Sequence, residues 1–309
     1  LYFFQPIMPR VALVLLLFSS LLLSVAYSTA VPYDLDIARK ALLFSGAAYC
    51  PNATVMEWNC PNCLQLKNDF KVHATFYGPK YHGWGYVGYD ATNDWIVIAF
   101  EGSHDLANWI ANLKFSKQAP FKTLAGAKVH SGFYEAYMEV EATMASAVRE
   151  LRQLYPTTPI FATGHSLGAA LAVLAAVDLD IYYHNSFLSV GIIYTFGEPR
   201  VGNLPFAEYF DTLTTDKYRL VHYRDIVPSL PPKLLGFHHI ENEIWYDENF
   251  SSYKACKGGE DPTCSDSLIS WSVSDHLTYL NHTTGCGDNM MTYPMVDRET
   301  EYMRAGGRV

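Results

Sequence analysis

Ile160-Phe161-Ala162-Thr163-Gly164-His165-Ser166-Leu167-Gly168-Ala169-Ala170 is the stretch that decides the fold. Pro159 to Thr163 is a short apolar run of strand character, and Leu167 to Leu179 is an Ala/Leu-rich run of helical character. Between them, Gly164, Ser166 and Gly168 form the G-x-S-x-G pattern of a sharp strand-to-helix turn that lifts a serine hydroxyl above a sheet. Glycine is needed at 164 and 168 because a side chain at either would collide with neighbouring backbone. The helix opening at Leu167 points the positive end of its dipole at the serine, where an anion can develop. The Leu167 N–H is then one hydrogen-bond donor to that anion.

Outward from this turn, strands and helices alternate. Phe70 to Tyr77, Gly85 to Tyr89, Trp95 to Phe100, Val190 to Phe196 and Tyr218 to Tyr223 have strand patterns. Pro32 to Cys50 has helical apolar spacing. Phe133 to Tyr155 is a long amphipathic helix with Tyr137, Val140, Met144, Val148, Leu151 and Leu154 along one face, and Pro156 ends it. The alternation predicts an α/β chain with a mostly parallel central sheet and helices on both faces. Gly83-Trp84-Gly85-Tyr86-Val87-Gly88 matches the G-x-G-x-x-G dinucleotide pattern, but a turn (Asp90 to Asp94) and another strand follow it where that site needs a helix. It predicts a glycine-rich hairpin.

The chain has 309 residues, half of them hydrophobic and 17% charged, which excludes a disordered polymer. A net charge of −9 without a Lys/Arg cluster excludes nucleic acid as a partner, and any contact with lipid must be apolar. Pro9-Arg10, the apolar run Val11 to Leu23 and the small residues up to Ala30 have the three-part pattern of a secretory signal peptide over residues 1–30, cut after Ala26 or Ala30. Leu1 to Ile7 precede Met8 and are set aside from the fold. The apolar run is too short for a membrane span, so a mature chain without one, exported from the cell, is expected. Six cysteines, an even number, fit disulfides in an oxidising compartment. Cys60-Pro61-Asn62-Cys63 has no second C-x-x-C or His pair at zinc spacing, so a structural staple is expected, with no metal and no cofactor. Acceptor sequons at Asn52, Asn249 and Asn281 predict glycans. The expected organisation is a hydrolase domain over residues 31–287 and a loose tail over 288–309.

A serine hydroxyl needs an adjacent base held by a third group. Asp225 follows the strand Tyr218 to Tyr223, at the end of the sheet where such folds build sites. The base is sought among His238, His239, His276 and His282. The first two lead straight into an apparent strand, Glu241 to Tyr246. His282 lies inside a sequon, where a glycan would crowd a pocket. His276, in Ser274-Asp275-His276-Leu277, remains. His165 adjoins the nucleophile, but adjacent side chains on a tight turn diverge, and packing beneath the turn is expected of it.

Several motifs in one order carry a family resemblance over about residues 35–287. They are Phe100-Glu101-Gly102-Ser103, Asn108-Trp109-Ile110, Val129-His130-Ser131-Gly132-Phe133, Thr163 to Gly168, Phe196 to Asn203, Asp225-Ile226-Val227-Pro228 and Asp275 to Leu280. The chain resembles the fungal-type class 3 lipases, triacylglycerol lipases of α/β-hydrolase-like fold. The resemblance implies Ser166 as nucleophile, Asp225 as orienter, His276 as base, and Ser103 with Leu167 as the oxyanion donors. It also implies the disulfides Cys50–Cys286, Cys60–Cys63 and Cys256–Cys264. Glu101 stands where Arg is frequent in the family, Ala169 where a third Gly is usual, and Glu198 where Gln is common.

His104 to Phe115 adds an independent signal. Leu106, Trp109, Ile110 and Leu113 recur at helical spacing beside the Ser103 donor. The family has a mobile amphipathic lid there. Such a lid covers the site in water and opens at an oil–water interface, where lipid replaces the apolar contacts it gives up. The expected activity is hydrolysis of neutral glycerides through an acyl-enzyme. Phospholipase A1, monoglyceride lipase and feruloyl-type esterase are the alternatives on the same site, and an inactive surface or adhesion protein is the alternative of another class.

Overall fold

The computed structural model describes residues 32–183, 188–213 and 216–287; the expected signal peptide and the expected tail lie outside the described residues. In chain order the elements begin with α1 (Leu35–Ala47), α2 (Asn52–Met56) and α3 (Pro61–Leu66). Three strands follow: β1 (Phe70–Gly78), β2 (Gly83–Asp90) and β3 (Trp95–Phe100). Next come α4 (Leu106–Asn112), the short pair β4 (Lys117–Gln118) and β5 (Val129–His130), and α5 (Ser131–Leu154). β6 (Ile160–His165), α6 (Leu167–Tyr183), β7 (Val190–Phe196), α7 (Leu204–Asp211), β8 (Asp216–His222) and β9 (Glu243–Tyr246) continue the alternation. β10 (Tyr253–Ala255), β11 (Thr278–Tyr279) and β12 (His282–Thr283) end it.

The main sheet runs β1-β2-β3-β6-β7-β8-β9-β10. β1, β2 and β3 pair antiparallel, the steps from β3 through β9 are parallel, and β10 returns antiparallel. The G-x-G-x-x-G stretch lies within β2, between the two hairpin partners. Its glycines have a steric cause: a Cβ on Gly85 would stand 2.5 Å from the Phe76 ring, and one on Gly88 would stand 2.4 Å from the Phe70 ring.

The strand β3 shows how the sheet divides the core. Its six residues are all buried and all apolar, which hides the strand period in the sequence. In space they alternate: Ile96, Ile98 and Phe100 join the cluster under α5 and α6, while Trp95, Val97 and Ala99 join the cluster under α1. From Gly168 to Val177 α6 is apolar and buried on every side because it lies between the sheet and α5. At the far end of α6, buried Asp178 accepts a hydrogen bond from the Tyr137 hydroxyl of α5 at 2.9 Å.

Disulfides join Cys50 to Cys286, Cys60 to Cys63 and Cys256 to Cys264. The first closes a sequence separation of 236 residues, tying the end of the first helical segment to the segment that follows His276. In the chain-entropy account such a closure stabilises by about 5 kcal/mol. One expectation fails: Asn52 is wholly buried, and neither atom of its amide reaches solvent or a partner. A glycan there is incompatible with this packing, so the Asn52 sequon is corrected to a core position. Asn249 and Asn281 are exposed.

Candidate active site

The turn between β6 and α6 places Ser166 in the left-handed region, at φ +61. A residue with a Cβ held there costs about 1–3 kcal/mol, which surrounding contacts must offset. Its N–H donates to the Phe196 carbonyl at 2.9 Å, fastening the turn to β7. A Cβ on Gly164 would stand 2.3 Å from the Gly168 carbonyl, and one on Gly168 would stand 2.4 Å from the Phe100 carbonyl. The close approach of α6 to β6 and to the end of β3 therefore leaves no space for side chains at either position.

Asp225 lies just beyond β8. Its Oδ1 accepts the Val227 N–H at 2.8 Å, and its Oδ2 accepts the Tyr279 hydroxyl at 2.5 Å. Both oxygens face His276 Nδ1, at 3.0 and 2.8 Å. An acceptor-only carboxylate at that distance assigns the proton to Nδ1 and leaves Nε2 with its lone pair. Both side chains are buried. Ser166 Oγ and His276 Nε2 are also buried, and neither has a hydrogen-bond partner. A hydroxyl and a basic nitrogen left free in one protein interior are what nucleophilic catalysis needs. The bond between such groups is often long without substrate.

Gly197, at φ +55, closes the floor. A Cβ there would stand 2.6 Å from His276 Cε1 and 2.8 Å from Asp225 Oδ2. His165 is packed against His276, ring centroids 4.3 Å apart. Its Nε2 bonds the His276 carbonyl at 2.9 Å, and its Nδ1 meets the Tyr49 hydroxyl at 2.9 Å. Burial, with His276 beside it, holds the His165 ring well below the usual imidazole range, so it stays neutral. It fixes the backbone of His276 and does not compete as a base. Of the other histidines weighed, His239 is buried and bonds the Pro228 carbonyl at 2.7 Å, while His282 lies in β12. Tyr279, Tyr49 and Gly197 are contributors that sequence reasoning missed. The sole local signal for Tyr279 is a hydroxyl-bearing ring three residues after His276.

Ser103 sits on the loop from β3 to α4, and a Cβ on its neighbour Gly102 would stand 3.1 Å from Ser166 Cβ. That loop therefore passes directly over the nucleophile. α4 starts at Leu106 and is capped by Asp105, whose carboxylate accepts the Asn108 N–H. Leu106 is buried, Trp109 and Leu113 pack on the core, and Ile110 is half-buried. Trp109 stacks on Phe133 at 6.1 Å. Beneath α4 lies a cavity of ≈ 490 Å³ lined by Trp109, Leu113, His130, Phe133, Ala136 and Leu167 among others. It runs from Leu167, the residue after Ser166, to the underside of the helix. Desolvation pushes His130 down to about 4, so this ring of the cavity lining is uncharged at neutral pH.

The group of Glu243, Cys256 and Cys264 is the one cluster of metal-ligand type among the described residues, and its two sulfurs are joined to each other. Thiolate ligation there is ruled out by that bond.

Residues 97–235 match the family described as Lipase (class 3). A lipase of Rhizomucor miehei is 36% identical over 250 residues, covering 78% of this chain and 67% of the relative. The secreted mono- and diacylglycerol lipase 1 of Fusarium solani is 34% identical over 272 residues, covering 84% of this chain and 79% of the relative. Among solved structures, lipase II from Rhizopus niveus superposes with TM-score 0.76 at 32% identity, covering 81% of this chain and 96% of that one. A triacylglycerol lipase whose catalytic centre is described as a serine protease triad superposes with TM-score 0.75 at 33% identity, covering 83% of this chain and 98% of that one. Sequence and fold agree over the same stretch of chain, and the protein belongs to the class 3 lipase family.

Proposed function

We propose that the protein is a secreted serine hydrolase that cleaves the carboxylic esters of neutral glycerides. Ser166 Oγ attacks the ester carbonyl, and His276 Nε2 takes its proton and then gives it to the leaving alcohol. Asp225 holds the imidazole with its proton on Nδ1. The Ser103 and Leu167 backbone N–H groups stabilise the tetrahedral anion, each contributing roughly 3–4 kcal/mol. Water then releases the acyl group by the reverse sequence.

The observation that carries the proposal is a fully bonded Asp225–His276 couple held against the turn of a free, left-handed Ser166, since His165, next to the serine, bonds the His276 carbonyl. Partners of neutral lipid character are supported by the rim. Leu234 and Ile269 are 95% and 93% exposed on loops that flank Asp225 and His276 in sequence. Leu234 and Trp271 line one cavity with Asp225. Large exposed apolar side chains near Asp225 suit an oil surface, and α4 is the lid that opens on it. The name of the Fusarium solani relative favours partial glycerides as the second reading. Export is supported by that relative's name and by the signal-like segment at residues 1–30. Among the described residues no helix is long and apolar enough to cross a membrane. Exposed Asn249 and Asn281 are the proposed glycan carriers.

The test is a panel of tri-, di- and monoglyceride emulsions, phospholipid and soluble esters, run on wild type and Ser166→Ala. Glyceride hydrolysis that falls about 10⁶-fold in kcat in the variant is expected. Substantial residual turnover in Ser166→Ala overturns the assignment.

A further inference from the structure

The loop that carries Ser103 is held at both ends, and the second restraint is made of two side chains the triad does not use. At the start, the Glu101 N–H donates to the Trp84 carbonyl at 2.8 Å. The Glu101 carbonyl lies so close to the turn that a Cβ on Gly168 would stand 2.9 Å from it. At Gly102 a Cβ would stand 2.1 Å from the Tyr49 hydroxyl, so the chain is wedged between α1's end and the nucleophile. The Glu101 carboxylate is buried, and its Oε1 meets His104 Nε2 at 2.8 Å. His104 in turn stands edge-on to the Tyr49 ring, centroids 5.9 Å apart. The bridge from 101 to 104 closes a ring of chain in which Ser103 is enclosed. Beyond it, Asp105 caps α4.

We propose that Glu101 and His104 are a positioning pair: their bridge fixes the direction of the Ser103 N–H and isolates it from movement of α4. The inference rests on the oxyanion role given to Ser103 above. A carboxylate is an odd choice beside a site where negative charge develops, because a buried like charge opposes that anion. The donor from His104 offsets it. In this chain the acidic residue stands where the family frequently has Arg, so the pairing is a feature of this sequence. Removing His104 has two consequences: the loop is freed, and the buried Glu101 carboxylate loses the donor that faces it at 2.8 Å. The second can be relieved separately.

The experiment measures kcat and KM on a soluble short-chain ester, and Ki for a trifluoromethyl ketone whose hemiketal oxygen occupies the oxyanion position. Endpoint labelling with a fluorophosphonate counts competent Ser166. His104→Ala should lower kcat about tenfold with KM little changed, short of the hundredfold or more that losing a donor outright causes. Its Ki should rise by the same factor as kcat/KM falls. Adding Glu101→Gln to His104→Ala should recover several-fold of the lost rate. A His104→Ala enzyme that labels fully and keeps its kcat and Ki overturns the proposal, and so does a double variant no faster than the single. A wild-type enzyme that does not label at Ser166 would instead overturn the function on which the proposal rests.

Discussion

The two walls of the site differ in how they are held. On the Asp225–His276 side, each polar group but one has a partner: Val227, Tyr279 and His276 satisfy the carboxylate, and His165 ties down the carbonyl of the base. Gly197 then fills the remaining space so closely that a methyl group would overlap the imidazole. On the α4 side the seven-residue helix keeps Ala107, Asn108, Ala111 and Asn112 in solvent and touches the core through Leu106 and Trp109, with Leu113 just past its end. The fixed wall is built from buried hydrogen bonds, which have no good substitute when broken. In the proposed function α4 is the movable wall, built from apolar contacts that a lipid surface can replace. On that reading one wall supplies geometry and the other access.

Gly197→Ala is the sharpest way to break the fixed wall. The added methyl must displace His276 or Asp225, and a shift near 1 Å at the reacting groups costs about a hundredfold in rate. A kcat loss of that order on a soluble ester, with full-length protein still folded by near-UV circular dichroism, is expected; an unchanged kcat would mean the dyad has slack. The movable wall should respond differently. Trp109→Ser removes apolar area that the lid would offer to lipid, so the ratio of emulsion rate to soluble-ester rate should fall about tenfold. Equal losses on both substrates would place Trp109 in the fixed wall.

A smaller effect sharpens the boundary between them. Glu198 follows Gly197, is buried, and accepts from the Thr195 hydroxyl at 2.7 Å; burial raises its carboxyl from 4.5 to about 7. Below pH 4.5 the folded and unfolded chains both hold this proton. Between pH 4.5 and 7 the unfolded chain releases it first, so stability falls across that window and the penalty persists above it. Glu198→Gln removes the penalty. Its Tm should exceed that of wild type by several degrees at pH 8 and by nothing at pH 4, as read by calorimetry. A gain independent of pH would assign the effect to packing.

The nucleophile turn was legible because its cause is local: two glycines, an apolar strand before and an apolar helix after. Asp225 was legible as a loop carboxylate at a strand end, and His276 by elimination among four rings. What was not legible depends on contacts between distant residues. Tyr279 and Tyr49 carry hydroxyls in the interior because Asp225 and His165 face them across the fold. Gly197 is required because a helical turn 79 residues later brings an imidazole against it. The Asn52 sequon looks like any surface sequon, and its burial follows only from the packing around α2. β3 concealed its two faces because both are covered. α7 went unremarked, since its eight residues have no long apolar period, although Asn203 caps it and Pro205 follows in its first turn.

The central claim is that one serine hydroxyl reacts because one imidazole activates it. Mass spectrometry of peptides from enzyme treated with a fluorophosphonate tests it directly. One adduct per chain on Ser166 is predicted, formed orders of magnitude more slowly in His276→Ala and at an undiminished rate in His282→Ala. Labelling at another residue, or at Ser166 with equal speed when His276 is replaced, would contradict the account.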